Sequence, residues 1–248
     1  MIFSTNNTLW YSGSNFTICK NFSGRKGLTF GNGGCGQRGG RAYFPNVAGH
    51  DYENSNNMWK YCSNENVPAS EFVHGVVTVK DTIMKFYVNG ELHGVFDKYS
   101  GNVDRTLQGM RIGYGHTWAQ PNGTIAYVRM WKTHALSEKE VKLRYVDRYK
   151  YNVPQPDHSW DLRNLRLLNG TLHVQDTGTA AYKINGQVVN LSGRDIISND
   201  QGLVFTGGNE SKEYVQLNGS CSFSGNDEFS MEFFFKLNDG KNNGMIFS

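Results

Sequence analysis

Hydrolysis of a glycosidic bond needs two carboxylates a few ångströms apart on one face. The nearest pair in this sequence lies in Asp227-Glu-Phe-Ser-Met-Glu232, where Glu228 and Glu232 share a strand parity. That parity also holds Ser230 and Lys236 and opposes Phe229, Met231, Phe233, Phe235 and Leu237, so it reads as the polar outer face of a half-buried strand rather than a cleft. Gly31-Asn-Gly-Gly-Cys-Gly36 fits GxGxxG, but Gln-Arg-Gly-Gly-Arg follows it. Without an apolar helix after the glycines there is no helix N-terminus to hold a phosphate, and a loop is expected. His50, His74, His93, His116, His134, His158 and His173 are scattered without metal-ligand spacing, and no Ser-His-Asp set is recognisable. No metal ligand set is identified, and no cofactor is expected.

Sugar stacking is better served, because it asks only for an aromatic ring on the apolar face of a pyranose with Asn, Asp, Gln or His beside it for the hydroxyls. Tyr114-Gly-His-Thr-Trp-Ala-Gln120 offers Tyr114, His116, Trp118 and Gln120, and Asp51-Tyr-Glu-Asn-Ser-Asn-Asn-Met-Trp-Lys-Tyr61 offers Asn57, Trp59 and Tyr61. The same rings could equally pin two long loops to a core. Both readings stand at the level of sequence.

The elements that must position these loops are strands. Among 248 residues there are 29 Gly and 26 Asn but only 5 Pro, with 38% hydrophobic and 19% charged residues, a balance that suits many strands joined by polar turns and nearly excludes a helical bundle. The net charge of +3 creates no field that would recruit nucleic acid or an anionic membrane. No apolar run is long enough for a membrane helix, and the start has neither a basic nor an apolar leader region. Eight Asn-x-Ser/Thr sequons, from Asn6 to Asn218, are weak evidence of a glycosylated surface protein.

Phe229 to Leu237 alternates most cleanly, with Phe234 as an outward misfit. Glu71 to Lys80, Thr82 to Val88 and Glu91 to Asp97 follow, the last two joined by Asn89-Gly90, the strongest short hairpin signal; Met84, Phe86 and Val88 are expected on the buried face. Further strands are expected at Leu9–Ser12, Phe16–Lys20, Met110–Tyr114, Thr124–Trp131, Leu203–Thr206 and Tyr214–Leu217. One helix is expected from Ser137 to about Tyr149. Ser137 with Glu140 forms its capping box, Leu136 against Val141 its staple, and Val141, Tyr145 and Tyr149 its apolar stripe. Its Lys139, Lys142, Arg144, Arg148 and Lys150 read as a solvated face. The linker Asn152-Val-Pro-Gln-Pro-Asp157 separates block 1–150 from block 158–248. Cys19, Cys35, Cys62 and Cys221 form no CxxC pair; a disulfide between the two long loops and free buried thiols are both open.

Lys85-Phe-Tyr-Val-Asn-Gly-Glu-Leu, Gly109-Met-Arg-Ile-Gly, Gly123-Thr-Ile-Ala-Tyr-Val-Arg-Met-Trp and Ala135-Leu-Ser-Glu-Lys-Glu-Val, in that order, resemble the second half of a laminin-G-like domain. Ser159-Trp-Asp-Leu-Arg, Asp176-Thr-Gly, Gly202-Leu-Val-Phe-Thr-Gly, Tyr214-Val-Gln-Leu and Phe229-Ser-Met-Glu-Phe-Phe-Phe-Lys-Leu resemble the first half. The resemblance is to the concanavalin A-like lectin/glucanase superfamily, with the halves in reversed order. It implies an all-β, antiparallel two-sheet jelly roll with one short helix. Hydrolases of the superfamily carry a Glu-x-Asp-x-x-Glu strand or a close variant, which this chain lacks, so a non-catalytic carbohydrate-binding or attachment module is expected. The loops around Trp118 and Trp59 would then meet polysaccharide or glycoprotein glycans. Many members bind calcium at this rim, but no ligand set can be carried over here.

Met1-Ile-Phe-Ser4 recurs as Met245-Ile-Phe-Ser248, as in a permuted domain or one period of a tandem array. Either way block 158–248 must pair with a 1–150 block, its own or that of a neighbouring repeat or subunit. Arrays of such modules resemble surface proteins of large algal DNA viruses and bacterial adhesins, which implies an extracellular or virion-surface setting. The competing expectation is a structural repeat that builds a fibre or shell.

Overall fold

The computed structural model describes residues 16–20, 28–32, 41–43, 52–53, 61–62, 70–81, 83–96, 105–108, 110–113, 120–148, 154–189, 198–199, 201–208, 213–223, 228–238 and 245–247. Among them are strands and one helix.

Phe229–Leu237 is central to the first sheet, antiparallel to Phe72–Lys80 on one side and to Gln120–Trp131 on the other. Ile83–Val88, Glu91–Phe96, Arg41–Tyr43 and Tyr52–Glu53 continue outward beyond Phe72–Lys80. The far edge of Gln120–Trp131 is shared by Gly202–Gly208 and the start of His158–Leu168. The second sheet runs, in spatial order, Thr171–Asp176, Gly186–Val189, Tyr214–Leu217, Arg111–Ile112, Met245–Phe247, Phe16–Lys20, Leu28–Asn32 and Tyr61–Cys62. His158–Leu168 joins the two: a register shift between Trp160 and Leu165 lets its start pair in the first sheet and its end pair with Thr171–Asp176. The result is an all-β, antiparallel two-sheet sandwich with a single short helix. Strands from both blocks interleave, as where Phe229–Leu237 lies between Phe72–Lys80 and Gln120–Trp131.

Alternation explains the core. Phe229, Met231, Phe233, Phe235 and Leu237, with Met84, Phe86 and Val88, are buried against Ile112, Val174, Val215 and Leu217 of the second sheet. Asn89 and Gly90 take φ of 50° and 84°, the left-handed pair that a two-residue hairpin requires. The hairpin of His158–Leu168 and Thr171–Asp176 escapes the alternation rule, because its apolar face is interrupted at the register shift. Its Asn169-Gly170 turn, with φ of 50° and 77°, was the available signal. Leu9–Ser12 lies outside the described residues.

The helix, Glu138–Val146, is shorter than expected, because Asp147 leaves helical geometry as its C-cap; Tyr149 lies outside the described residues. Its start is as expected: Ser137 Oγ accepts from the Glu140 backbone N–H, and Glu140 accepts from the Ser137 N–H at 2.6 Å. Leu136 and Val141 pack together with Val76, Tyr87 and Trp131.

Two expectations are corrected. The polar side of Phe229–Leu237 does not face water: Ser230 and Glu232 are both 0% exposed. Nor is Arg144 on a solvated face; it is buried and turned inward. The helix lies over this side of the first sheet, which converts a polar strand face into a second, charged interior. Ser230 Oγ accepts from the Leu136 N–H and donates to the His134 carbonyl. Phe234 stacks on Phe72 and Tyr127, with ring centroids 4.7 and 5.6 Å away.

Cys19 and Cys62 both pair with Thr29, from opposite sides. Their Cα atoms are thus two strand spacings apart, about 10 Å, whereas a disulfide spans at most about 7 Å. Cys35 lies outside the described residues. Cys221 is a free, buried thiol whose pKa burial pushes up to about 12. Because the thiolate is the reactive form, Cys221 should resist a thiol-specific reagent in the native protein and react on unfolding, read by mass spectrometry of the labelled peptide.

Candidate functional site

Of the residues expected to stack on sugar, Tyr114, His116, Trp118, Asn57 and Trp59 lie outside the described residues. The backbone of the other two is placed. Gln120 opens Gln120–Trp131 of the first sheet, opposite Gly208. Tyr61 opens Tyr61–Cys62 of the second, opposite Phe30. Arg111–Ile112, which precedes segment 114–119 in the chain, lies in one sheet, and Gln120–Trp131, which follows it, lies in the other. Tyr61–Cys62 lies four strands from Arg111–Ile112 in the second sheet, about 19 Å at the usual spacing. The anchors of the two loops are not adjacent.

The strongest concentration of ionisable side chains among the described residues is one the sequence reading placed in water. Glu232 Oε1 meets His74 Nε2 at 2.8 Å and accepts from Tyr127 OH at 3.2 Å. Its Oε2 accepts from Arg144 Nε at 2.8 Å and from Arg129 Nη1 at 3.4 Å. Burial alone would raise this carboxyl, but the hydrogen bond and charge of His74, with Arg129 and Arg144, hold it down at about 2. Arg144 also lies 4.5 Å over the Trp131 ring, and Arg129 4.0 Å over Tyr127. Such a carboxylate is ionised at neutral pH and has no proton to give. It fastens the helix to the sheet. Glu228, the other member of the expected pair, is ion-paired at 2.6 Å with exposed Lys80. The available signal for this cluster was Phe234, the apolar misfit that shares the parity of Glu232 on a side otherwise read as facing water.

A second buried group surrounds Asp176. Its Oδ1 accepts from the N–H groups of Ser159 and Gly178, its Oδ2 from that of Ile184, and Oδ2 lies 2.7 Å from His158 Nδ1. Burial pushes this carboxyl up; those four hydrogen bonds outweigh it and leave the pKa below the ordinary carboxylate value. Trp160 Nε1 donates to the Ile184 carbonyl at 2.6 Å. Gly178 is required by close approach, since a Cβ there would stand 2.1 Å from the Asp157 carbonyl oxygen.

A laminin-G family model, that of the concanavalin A-like lectin/glucanases superfamily, matches residues 5–142, more than half of the chain. The chain belongs to that superfamily. Comparison with curated proteins and with solved structures gives no match.

Within the sandwich, three of the motifs that carried the resemblance have structural work to do. Ser159-Trp-Asp-Leu and Asp176-Thr-Gly meet at the corner where His158–Leu168 passes between sheets, and Asp176 supplies there the acceptors that three backbone N–H groups would otherwise lack. Lys85-Phe-Tyr-Val-Asn-Gly is a hairpin, with Tyr87 buried beneath the helix. These residues make the lectin-like fold; a fold of this kind hosts several functions, and the choice among them rests on the loops and surfaces it carries.

Proposed function

We propose that this domain is a non-catalytic carbohydrate-binding module of an extracellular or virion-surface protein, attaching to polysaccharide or glycoprotein glycans through its rim loops. The observation that carries this reading is the match of residues 5–142 to the lectin/glucanase superfamily. Within that match the sequence sets Tyr114, His116, Trp118 and Gln120 in one stretch between Arg111–Ile112 and the rest of Gln120–Trp131: rings for stacking and polar groups for hydroxyls. In sequence, Asn57, Trp59 and Tyr61 form a second such stretch, which ends where Tyr61–Cys62 joins the second sheet. The absence of catalysis is part of the proposal, supported by the locked state of Glu232 and the ion pair of Glu228. No cofactor is invoked.

The test is a glycan array on the whole chain, followed by Trp118→Ala. Glycan retention should fall at least about tenfold while stability stays within about 1 kcal/mol, because an exposed stacking ring contributes little to the fold. A large loss of stability with no glycan bound by the parent chain would make the ring a loop anchor and favour the structural-repeat reading.

A further inference from the structure

We propose that Asn169 is a site of N-linked glycosylation, and that the oligosaccharide attached there shields an open, apolar strand edge of the second sheet. The inference rests on the surface setting of the proposed function but not on its rim loops. Asn169-Gly170-Thr171 has the Asn-x-Thr pattern that N-linked transfer requires, and it turns the chain between His158–Leu168 and Thr171–Asp176. Asn169 and Gly170 are both exposed, and a Cβ built at Gly170 would meet no atom within 4 Å. The other described sequons are hemmed in. Asn122-Gly123-Thr124 lies inside Gln120–Trp131: Asn122 Oδ1 accepts from Asn238 Nδ2 at 3.0 Å, Thr124 is buried, and a Cβ at Gly123 would stand 2.0 Å from the Lys236 carbonyl oxygen. At Asn218-Gly219-Ser220 the asparagine is exposed, but the middle position presses on the Ile184 and Tyr182 side chains. Only at Asn169 does the whole acceptor tripeptide stand clear of the sandwich, so that the fold can carry a bulky, hydrated substituent.

The surroundings of Asn169 give the substituent a task. Leu167 and Leu168, the residues just before it, are 68% and 53% exposed. Leu165 shares the parity of Leu167 and packs against the core, so the hairpin outruns the core between these two leucines. The start of His158–Leu168 is covered by Gln120–Trp131. Beyond the register shift Leu165, Arg166, Leu167 and Leu168 pair with Val174, His173, Leu172 and Thr171 on one side, and among the described residues no strand pairs with their other side. An open edge with apolar side chains is a template for a strand of another chain, and proteins blunt such edges. Arg166 is the single charge in that stretch. A glycan rooted one residue past Leu168 would fill the space an incoming strand needs. In the transfer, Asn169 Nδ2 attacks the anomeric carbon of an oligosaccharide carried on a polyprenyl diphosphate. The C–N bond forms, the anomeric C–O bond breaks, the diphosphate leaves with the electron pair, and the amide proton passes to a base of the transferring enzyme.

The site is read by translating the whole chain, behind an export leader, into endoplasmic-reticulum vesicles that glycosylate a control protein, and mapping its peptides before and after treatment with a peptide N-glycosidase. Asn169 should be modified and Asn122 bare. Thr171→Ala should leave Asn169 bare, and Thr171→Ser should keep it modified. Asn169 bare in the parent chain, in vesicles that modify the control, would overturn the proposal; the glycan array tests the rim loops alone, so the two readings fail separately. The shielding is read by light scattering on chains secreted from a eukaryotic cell line. Thr171→Ala, which lacks only this glycan, should raise the self-associated fraction about twofold or more at equal concentration, and adding Leu167→Lys/Leu168→Lys to it should cancel the rise. Equal monodispersity of the parent and Thr171→Ala would reject the shielding.

Discussion

Glu232→Ala is expected to lower the unfolding free energy by about 3–5 kcal/mol, because it leaves Arg144 and Arg129 facing a buried gap without their counter-charge and His74 Nε2 without its hydrogen-bond partner. A domain of this size has only about 5–15 kcal/mol in total, so the variant should unfold at a much lower urea concentration, and a loss below about 1 kcal/mol would mean that water reaches the site and the cluster is not closed. The same residue sets an acid limit. With its carboxyl held at about 2 in the folded chain against an ordinary 4.5, the unfolded state binds the proton more readily than the folded one. The contribution of Glu232 is therefore complete above pH 4.5 and is lost as the pH falls toward 2. Glu232→Gln preserves the shape and removes the charge; its stability should be flatter across that window than the parent's. Urea titrations of parent and variant from pH 5 to about 2 read both effects.

Asp176→Ala is expected to cost about 3 kcal/mol or more, since four donors lose their acceptor together: the N–H groups of Ser159, Gly178 and Ile184, and His158 Nδ1. An orphaned buried donor costs about 1–3 kcal/mol, and water entering the space left by the carboxylate recovers part of the sum. Trp160, fully buried and bonded to Ile184, reports on the same corner, so its fluorescence should shift before the rest of the chain unfolds. Asp176→Asn should lose less, because its remaining oxygen can still serve Ser159 and Gly178. A loss in Asp176→Ala of no more than an ordinary surface substitution, within about 0.5 kcal/mol, would show that the corner has other supports.

Local chemistry was enough to find most of what it directly controls. Strict alternation marked Phe229–Leu237, the need for positive φ marked Asn89-Gly90, and Ser137 with Glu140 marked the start of the helix; each depends on side chains within a few residues of one another. The hairpin motif Lys85-Phe-Tyr-Val-Asn-Gly, within the matched residues, was equally legible, because its two-residue turn requires particular residues at particular offsets. The bounds of the helix were less so: Tyr149 continues the apolar stripe, yet Asp147 turns the chain away.

What only the tertiary structure decided is which faces meet. From sequence, Glu232 on the polar side of a strand and Arg144 on the basic side of a helix both belong in water. Packing the helix onto that strand face instead joins two residues 88 positions apart at 2.8 Å, an outcome that no periodicity encodes. Alternation states which side a residue takes relative to its own strand; what stands across from that side is set by the order in which strands pair and by what folds over them.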